Sequence, residues 1–433
     1  MGPERAVPEA DQPVFGAGLV VSTVEVPDPG NLLAQLPGPA AVAWVRRGDG
    51  LVGWGEAARL TLPAGADRFT AGEKWLRELF DDARVTDEVG VPGSGAVAFG
   101  SFTFDPACDG SVLIVPRVVL ARRSGRSWLT TISGPAGTPG NAGQLPAAAP
   151  VTAPGQVRWS DGSLSAPQWE QAVAAAVAAI RAGELSKVVL ARDLQAVASA
   201  PIDARMLLTR LAARDPDCYT FSCAGLVGAT PELYIRREGQ QVASLVLAGT
   251  APRGGSPAED AALGAGLLSS AKNVEEHGYA VADVRAALEP LCAELAVASQ
   301  PSLLRLANVQ HLATAVTGVL ASRPGAPPGE QPSALALAAA LHPTPAVCGT
   351  PSGAALQMIR ELERMDRGRY AAPVGWVDAA GNGEWGIALR CAALDGPRAR
   401  LFAGCGIVAD SDPAAELAEA QAKFRPVQQA IDS

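Results

Sequence analysis

Lysine and histidine are scarce in this chain. Its 433 residues include only four lysines and three histidines, against 31 arginines. Arginine keeps its proton at ordinary pH, whereas lysine and histidine can lose theirs, so few side chains remain that could serve as a base. The lysines are Lys74, Lys187, Lys272 and Lys423, and the histidines are His277, His311 and His342.

Three further absences exclude whole classes of protein. The chain has no apolar run of the length that a membrane span needs, and residues 1–12 lack the basic and apolar segments of a secretory signal. Its net charge of −9 argues against a nucleic-acid-binding protein. The seven cysteines form no Cys-x-x-Cys pair, which disfavours a disulfide framework or a zinc site. We therefore expect a cytoplasmic protein that binds neither a membrane nor a nucleic acid.

What is present favours an α+β fold. Apolar residues make up 48% of the chain, enough for a large core. Residues 1–133 are rich in candidate strands, and residues 134–156 are almost all small residues and prolines, which is typical of an exposed loop. Residues 157–433 alternate candidate hairpins with helices. This alternation is typical of antiparallel sheets with helices, and not of a doubly wound parallel sheet.

Local patterns predict individual elements. The Gly-Asp-Gly turn at 48–50 lies between two apolar runs and predicts a hairpin. Residues 111–123, 187–198 and 383–394 are each predicted to form one strand. A helix is predicted from Pro167 onward because apolar residues share one face: Trp169, Val173, Val177 and Ile180.

Two helices carry ionisable side chains at the spacing of one helical face. In the last helix these are Glu416, Glu419 and Lys423, and Glu275 and Glu276 lie together in an earlier one. The spacing leaves two interpretations open. The faces are either solvated and stabilised by ion pairs, or each helix offers a carboxylate to a hard divalent cation such as Mg²⁺.

Lys187 and Glu232 also have two interpretations each. Lys187 begins an apolar strand, and either extends its ammonium to water or is a partly buried base. Glu232 begins the run ELYIRR, and is either a surface residue or a carboxyl that burial keeps protonated. Gly249 and Gly404 end strands, where glycine either permits a turn or lets backbone N–H groups approach an anionic ligand.

Residues 157–433 contain a series of blocks in a fixed order. They are SKVVLAR, ATPELYIR, LAGTAPRG, KNVEEH, VQHLATAVTG, LHPTPAVCGTP, RGRYAAPVGWVDAAGNGEWGIALR and AGCGIVADSDPAAELAEAQAK. In this order they resemble the chorismate-binding enzymes, which comprise isochorismate synthases, salicylate synthases, anthranilate synthase component I and aminodeoxychorismate synthase component I. AFGSFTFDP resembles the family more weakly. The resemblance implies a single chorismate-binding domain over residues 1–433, with two stacked, largely antiparallel sheets flanked by helices, so that 134–156 becomes a loop within it.

Three positions resemble the isochorismate synthase branch. Members that use ammonia generally carry Gln at the position of Lys187, whereas a water nucleophile needs a base. The block 246–250 lacks the nucleophilic lysine of aminodeoxychorismate synthases. Enzymes that go on to eliminate pyruvate tend to have Thr at the position of Ala346. The resemblance therefore implies an isomerase, isochorismate synthase. The alternatives are a salicylate synthase and a catalytically silent chorismate-binding protein.

The resemblance also implies a mechanism and a set of site residues. Lys187 removes a proton from the water that attacks C2 of chorismate, and Glu232 protonates the C4 hydroxyl as it leaves. The lysine must lose its proton easily and the glutamate must keep its own, which a dry site can provide. Glu276 and Glu419 would hold Mg²⁺ against the ring carboxylate. The residues implied in substrate binding are Gly249, Thr250, His311, Ala346, Tyr370, Arg390, Gly404 and Lys423.

The same resemblance implies few partners. We expect chorismate as the small-molecule substrate, no glutamine amidotransferase subunit, and a monomer or weak dimer. Menaquinone and siderophore biosynthesis both begin at isochorismate, and the sequence leaves both open. The family often has an acid at the position of Asn273, and Glu416 or Glu275 could supply the missing charge.

Overall fold

The structure, a computed structural model, describes residues 18–134, 149–321 and 331–432. The strands in these ranges are β1 (Val20–Glu25), β2 (Ala41–Arg46), β3 (Asp49–Trp54), β4 (Ala58–Leu62), β5 (Arg84–Asp87), β6 (Val97–Ser101), β7 (Ser111–Val115), β8 (Val118–Arg123), β9 (Arg126–Ser133), β10 (Val157–Asp161), β11 (Lys187–Ala198), β12 (Tyr219–Cys223), β13 (Leu226–Thr230), β14 (Leu233–Glu238), β15 (Gln241–Pro252), β16 (Cys292–Val297), β17 (Ser302–Arg305), β18 (Val309–Leu320), β19 (Gly349–Thr350), β20 (Pro373–Asp378), β21 (Gly383–Ile387), β22 (Cys391–Asp395) and β23 (Arg398–Ile407).

The α-helices of the same ranges pack on these strands. They are α1 (Arg68–Asp81), α2 (Ala166–Arg181), α3 (Ala204–Arg214), α4 (Pro257–Ser269), α5 (Ala271–Leu288), α6 (Ala334–Leu341), α7 (Ser352–Glu363) and α8 (Pro413–Asp432), with 3-10 turns at Leu32–Gln35 and Glu289–Leu291. None of these helices is long and apolar enough to span a membrane.

The strands form two large sheets. The first has the order β10-β11-β23-β22-β13-β12-β2-β3-β8-β9-β1-β5, with β19 on β11. The second has the order β16-β18-β15-β14-β21-β20-β6-β7-β4, with β17 on β18. Among the described strands, only β1 and β5 pair in parallel. The predicted α+β fold with largely antiparallel sheets is therefore confirmed.

The two sheets pack face to face around a shared hydrophobic core. Trp44 of β2, in the first sheet, donates its indole N–H to Glu384 of β21, in the second, at 2.7 Å. Gly386 of β21 allows this approach, because a Cβ there would lie 2.8 Å from the Trp44 ring. Both sheets also contain strands from before and after the predicted loop. The single domain over residues 1–433 stays a prediction.

Two runs that were predicted as single strands are wrong in the same way. The run 111–123 breaks at Pro116 into β7 of the second sheet and β8 of the first, since proline cannot donate a hydrogen bond to a sheet ladder. The run 383–394 breaks before Arg390 into β21 of the second sheet and β22 of the first. In both places the chain crosses between the sheets, and the second crossing brings Arg390 to the region where they meet.

Other predicted elements agree with the structure. The hairpin at 48–50 joins β2 to β3, although its turn lies one residue earlier, at Arg47 and Gly48. Helix α2 begins with a capping box between Ser165 and Gln168, and its predicted apolar face is buried. Residues 149–156 contain no helix or strand. The rest of the predicted loop, 135–148, and the N-terminal residues 1–17 lie outside the described part of the chain.

Candidate active site

One cavity brings together the residues that the sequence singled out. It has a volume of about 140 Å³ and lies where β11 and β23 of the first sheet meet β15 and β18 of the second, between α5 and α8. Its lining includes Lys187, Glu232, Gly249, Thr250, Glu276, His311, Ala346, Tyr370, Arg390, Gly404, Glu419 and Lys423. The roles of these residues stay predictions.

Lys187 is buried in the cavity wall. It is the first residue of β11 and is 2% exposed, and its Nζ lies 2.7 Å from Oε1 of Glu276 on α5. Its burial argues against an ammonium that extends to water. Gly406 of β23 makes room for this ion pair, because a Cβ there would lie 2.6 Å from Glu276 Oε1 and 3.0 Å from Lys187 Cε. An ammonium group accepts no hydrogen bond, so Lys187 must leave the ion pair as a neutral amine before it can act as a base.

Glu232 is the buried acid of the cavity. It immediately precedes β14 and is 5% exposed. Burial raises the pKa of its carboxyl to about 8, although the Leu247 backbone N–H and the charges of Lys187 and Lys423 act against this shift. Glu232 is therefore mostly protonated at neutral pH. This favours a proton donor over a surface residue as the interpretation of this position.

Lys423 and Glu419 form a second ion pair, one turn apart on α8. The Lys423 Nζ lies 2.6 Å from Glu419 Oε1 and donates a hydrogen bond to the carbonyl oxygen of Gly404 at 2.8 Å. Burial works against the charge on Lys423, but the Glu419 carboxylate raises the pKa of the lysine above its ordinary value. Burial likewise works against the charge on Glu419, and Lys423 lowers the pKa of this carboxyl. Both groups are charged at neutral pH.

His311 is held between Thr250 and Arg390. The Arg390 guanidinium donates to His311 Nε2 at 3.1 Å, so the ring proton belongs on Nδ1, which lies 3.1 Å from the Thr250 hydroxyl. Burial and the charges of Arg390 and Lys423 hold the pKa of His311 well below its usual value. His311 is therefore a neutral hydrogen-bonding group. Arg390 has φ of 47°, in the left-handed region, where a residue with a side chain is uncommon.

Tyr370 approaches β23 at Gly404. Its ring stacks on Phe402 with 5.2 Å between centroids, and a Cβ at Gly404 would lie 3.2 Å from its hydroxyl. Burial raises the pKa of Tyr370, so its hydroxyl keeps its proton. Glycine at 404 thus lets the Tyr370 phenol approach the strand. This explanation for the glycine differs from the two offered by the sequence, a turn or the approach of backbone N–H groups to an anion.

The carboxylates of the cavity fit a hard divalent cation. Besides Glu232, three glutamates line it, Glu276 from α5 and Glu416 and Glu419 from α8, and carboxylate oxygens are the ligands that Mg²⁺ prefers. Cys405, Glu416 and Glu419 each offer a ligand atom, and these atoms lie within 4.8 Å of one another. Glu276 and Glu419 now pair with lysines. A cation held by both Glu276 and Glu419 would compete with both ion pairs.

Sequence reasoning missed one feature of this site. Gly406 makes room for the ion pair between Lys187 and Glu276. The sequence feature that could have indicated this role is the alternation of glycine in the Gly-Cys-Gly run at 404–406. Of the two candidate stand-ins for the acid at Asn273, Glu416 lines the cavity and accepts a hydrogen bond from Ser411 at 2.7 Å. Glu275 is exposed and bonds to Tyr279 instead.

Comparison with known proteins identifies relatives along most of the chain. The profile of a family described as chorismate binding enzyme matches residues 141–432. A protein of Mycobacterium tuberculosis strain H37Rv with the provisional name isochorismate synthase MenF is 40% identical over 378 residues, which cover 84% of this chain and 94% of the relative. Isochorismate synthase DhbC of Bacillus subtilis strain 168 is 43% identical over 274 residues, 61% of this chain and 67% of the relative.

A solved structure has the same fold. The menaquinone-specific isochorismate synthase MenF of Escherichia coli superposes with a TM-score of 0.78, covering 96% of this chain and 95% of its own, at 24% identity. At this identity the likeness concerns the fold alone.

Proposed function

Because this chain belongs to the chorismate-binding enzymes, we propose that it is an Mg²⁺-dependent isochorismate synthase. It would convert chorismate to isochorismate by adding water at C2 with loss of the C4 hydroxyl. The observation that carries this proposal is that one cavity contains both a buried lysine, Lys187, and a protonated glutamate, Glu232. The names of the relatives from Mycobacterium tuberculosis and Bacillus subtilis support the same activity.

The two groups divide the proton transfers between them. Lys187, as a neutral amine, takes a proton from the water that attacks C2, while Glu232 gives its proton to the C4 oxygen. One group gains a proton and the other loses one in each turnover, so the overall charge of the cavity does not change. A carboxyl with a pKa of about 8 is a well-matched acid near neutral pH, since it is protonated yet able to release its proton.

The remaining cavity residues bind and orient the substrate in this proposal. Chorismate carries two carboxylates, and the protein has a net charge of −9, so attraction has to come from nearby cations. Arg390 and Lys423 supply positive charge for the enolpyruvyl carboxylate. The neutral Tyr370 hydroxyl binds the same carboxylate. Neutral His311 lies beside the C4 oxygen, and Gly249, Thr250 and Ala346 border the ring.

Glu276 and Glu419 would hold Mg²⁺, with Glu416 as a third oxygen donor. The ion would neutralise the ring carboxylate of the substrate and would compete with Lys187 for Glu276. With Glu276 engaged by the ion, Lys187 would be free of its ion pair, and it could serve as a base once it has lost its proton. The metal site and the base are thus coupled through one glutamate.

Product analysis tests the proposal. Purified protein with chorismate and Mg²⁺ should form isochorismate and release no pyruvate. Pyruvate in amounts equal to the chorismate consumed would instead identify a salicylate synthase. Lys187→Ala should abolish turnover, whereas Lys74→Ala, which removes an exposed lysine paired with Glu78 on α1, should leave it unchanged. Binding of chorismate with no product would identify a catalytically silent binding protein.

A further inference from the structure

A second, smaller cavity lies directly behind Glu232. Its walls come from the residues around β14, from β15, from α5 and from the loop after α6, and it has room for about one water molecule. Glu232 borders both this rear cavity and the larger one. The residue that faces the proposed substrate therefore also borders an internal space that the mechanism leaves unused.

Two buried hydroxyl groups belong to the rear cavity. Tyr234 and Thr344 both line it and are each 2% exposed. Among the described residues, neither hydroxyl has a hydrogen-bond partner of good geometry, although the Thr344 backbone N–H approaches the Tyr234 oxygen. Burying a hydroxyl without a partner is costly, and an ordered internal water is the usual solution where a cavity has room for one.

We infer that Tyr234 and Thr344 hold one water molecule in the rear cavity, and that this water donates a hydrogen bond to the Glu232 carboxyl. The Thr344 N–H approaches the Tyr234 oxygen, so the phenol proton is free to point at the water. The water then has one proton for the Thr344 hydroxyl oxygen and one for Glu232. Two hydroxyls and a carboxyl give it three polar partners, the number typical of buried water.

This water would make Glu232 a better acid, an inference that rests on the proposed role of Glu232. A hydrogen bond donated to a carboxyl stabilises its ionised form more than its neutral form. The carboxylate that Glu232 becomes on protonating the leaving hydroxyl is therefore stabilised from behind. Tyr234 and Thr344 act through the water and through Glu232, so they are positioning residues.

Other charged groups also act on Glu232. Lys187 and Lys423 act against the raised pKa of Glu232 from the side of the larger cavity, which Glu276, Arg390, Glu416 and Glu419 also line. Asp283 of α5 acts on Tyr234 from the other side. The exchanges below leave all of these groups in place, so any change they cause in the titration of Glu232 is due to the two hydroxyls.

Infrared titration of the protein without substrate or metal tests the inference. The C=O stretch of the protonated Glu232 carboxyl, identified by its loss in Glu232→Gln, is followed against pH. Tyr234→Phe and Thr344→Val each remove one hydroxyl and should raise the midpoint by about half a pH unit or more. Thr344→Ser keeps the hydroxyl and should retain the wild-type midpoint, as should Tyr279→Phe, which alters an exposed tyrosine on α5.

Steady-state kinetics supply a second readout. Tyr234→Phe and Thr344→Val should lower kcat about fivefold and leave KM unchanged, since they weaken an acid that acts in the transition state. Wild-type midpoints in both variants would overturn the inference. So would a midpoint in Thr344→Ser that rises as in Thr344→Val, because keeping the hydroxyl would then make no difference to Glu232. A protein that fails to convert chorismate would refute the proposed function, while the infrared midpoints would still decide this inference.

Discussion

The exchange Gly406→Ala probes the ion pair between Lys187 and Glu276 without altering either side chain. The new Cβ would lie 2.6 Å from Glu276 Oε1, so this oxygen has to move by about 0.8 Å to reach an ordinary van der Waals contact. A displacement of this size directly away from Lys187 would stretch the ion pair from 2.7 Å to roughly 3.5 Å, beyond the range of a charge-assisted hydrogen bond. The base and a proposed metal ligand are both displaced.

We expect kcat/KM to fall about 100-fold, or about 2.7 kcal/mol, because catalytic groups that are misplaced by about 1 Å lose about this much. Stability should change by no more than about 1 kcal/mol. Alanine restricts the unfolded chain, and the displaced carboxylate can turn toward the open cavity. Activity is measured as isochorismate formed, and stability by urea unfolding.

Gly278→Ala is the matched control for this exchange. Gly278 lies two residues after Glu276 on α5, and a Cβ there meets nothing within 4 Å. Activity should stay at the wild-type level in this variant, and the helix should gain about 1 kcal/mol of stability. If Gly406→Ala is as active as the wild type, the geometry of the ion pair is irrelevant to the reaction and the coupling of base and metal site is wrong.

Three further exchanges test separate parts of the site. In the wild type, kcat/KM should decline as the pH rises through about 8, because Glu232 loses its proton there. Glu232→Gln should lower kcat at least about 100-fold. A wild-type profile that stays flat at alkaline pH would contradict the role of Glu232 as the acid. Glu419→Ala should raise the Mg²⁺ concentration for half-maximal activity about tenfold or more, with a matching loss in calorimetric Mg²⁺ binding; an unaltered Mg²⁺ dependence refutes the metal assignment. Glu363→Ala leaves Arg367 buried and unpaired behind the cavity wall, which should cost about 3–5 kcal/mol of unfolding free energy; a loss below about 1 kcal/mol in urea unfolding would show that the pair contributes little.

The residues that line the site could be predicted because the blocks that resemble the family contain the site's ionisable side chains. Lys187 and Lys423, two of only four lysines, both line the cavity, whereas Lys74 lies on the exposed surface of α1. The Lys272 side chain lies outside what the structure describes. The scarcity of lysine was thus a useful signal for two positions: the proposed base Lys187 has to lose a proton, which arginine does not do, and Lys423 offers a compact ammonium in place of a planar guanidinium.

The pairing within the site could not be predicted from the sequence. Lys187 and Glu276 lie on a strand and a helix far apart in the chain, and no spacing rule links them. Residues 383–394 give one continuous strand pattern, so the crossing between sheets at Arg390 was also invisible. Its left-handed backbone is imposed by tertiary structure. Such features appear only when both sheets and both helices are in place.

We propose that this chain adds a water molecule to C2 of chorismate, and oxygen labelling tests this addition most directly. The purified protein is incubated with chorismate and Mg²⁺ in water enriched in oxygen-18, and the product is analysed by mass spectrometry. We expect isochorismate that carries one labelled oxygen, at C2, and no product from Lys187→Ala. Isochorismate without the label would show that the hydroxyl moves within the substrate, and would contradict the roles given to Lys187 and Glu232.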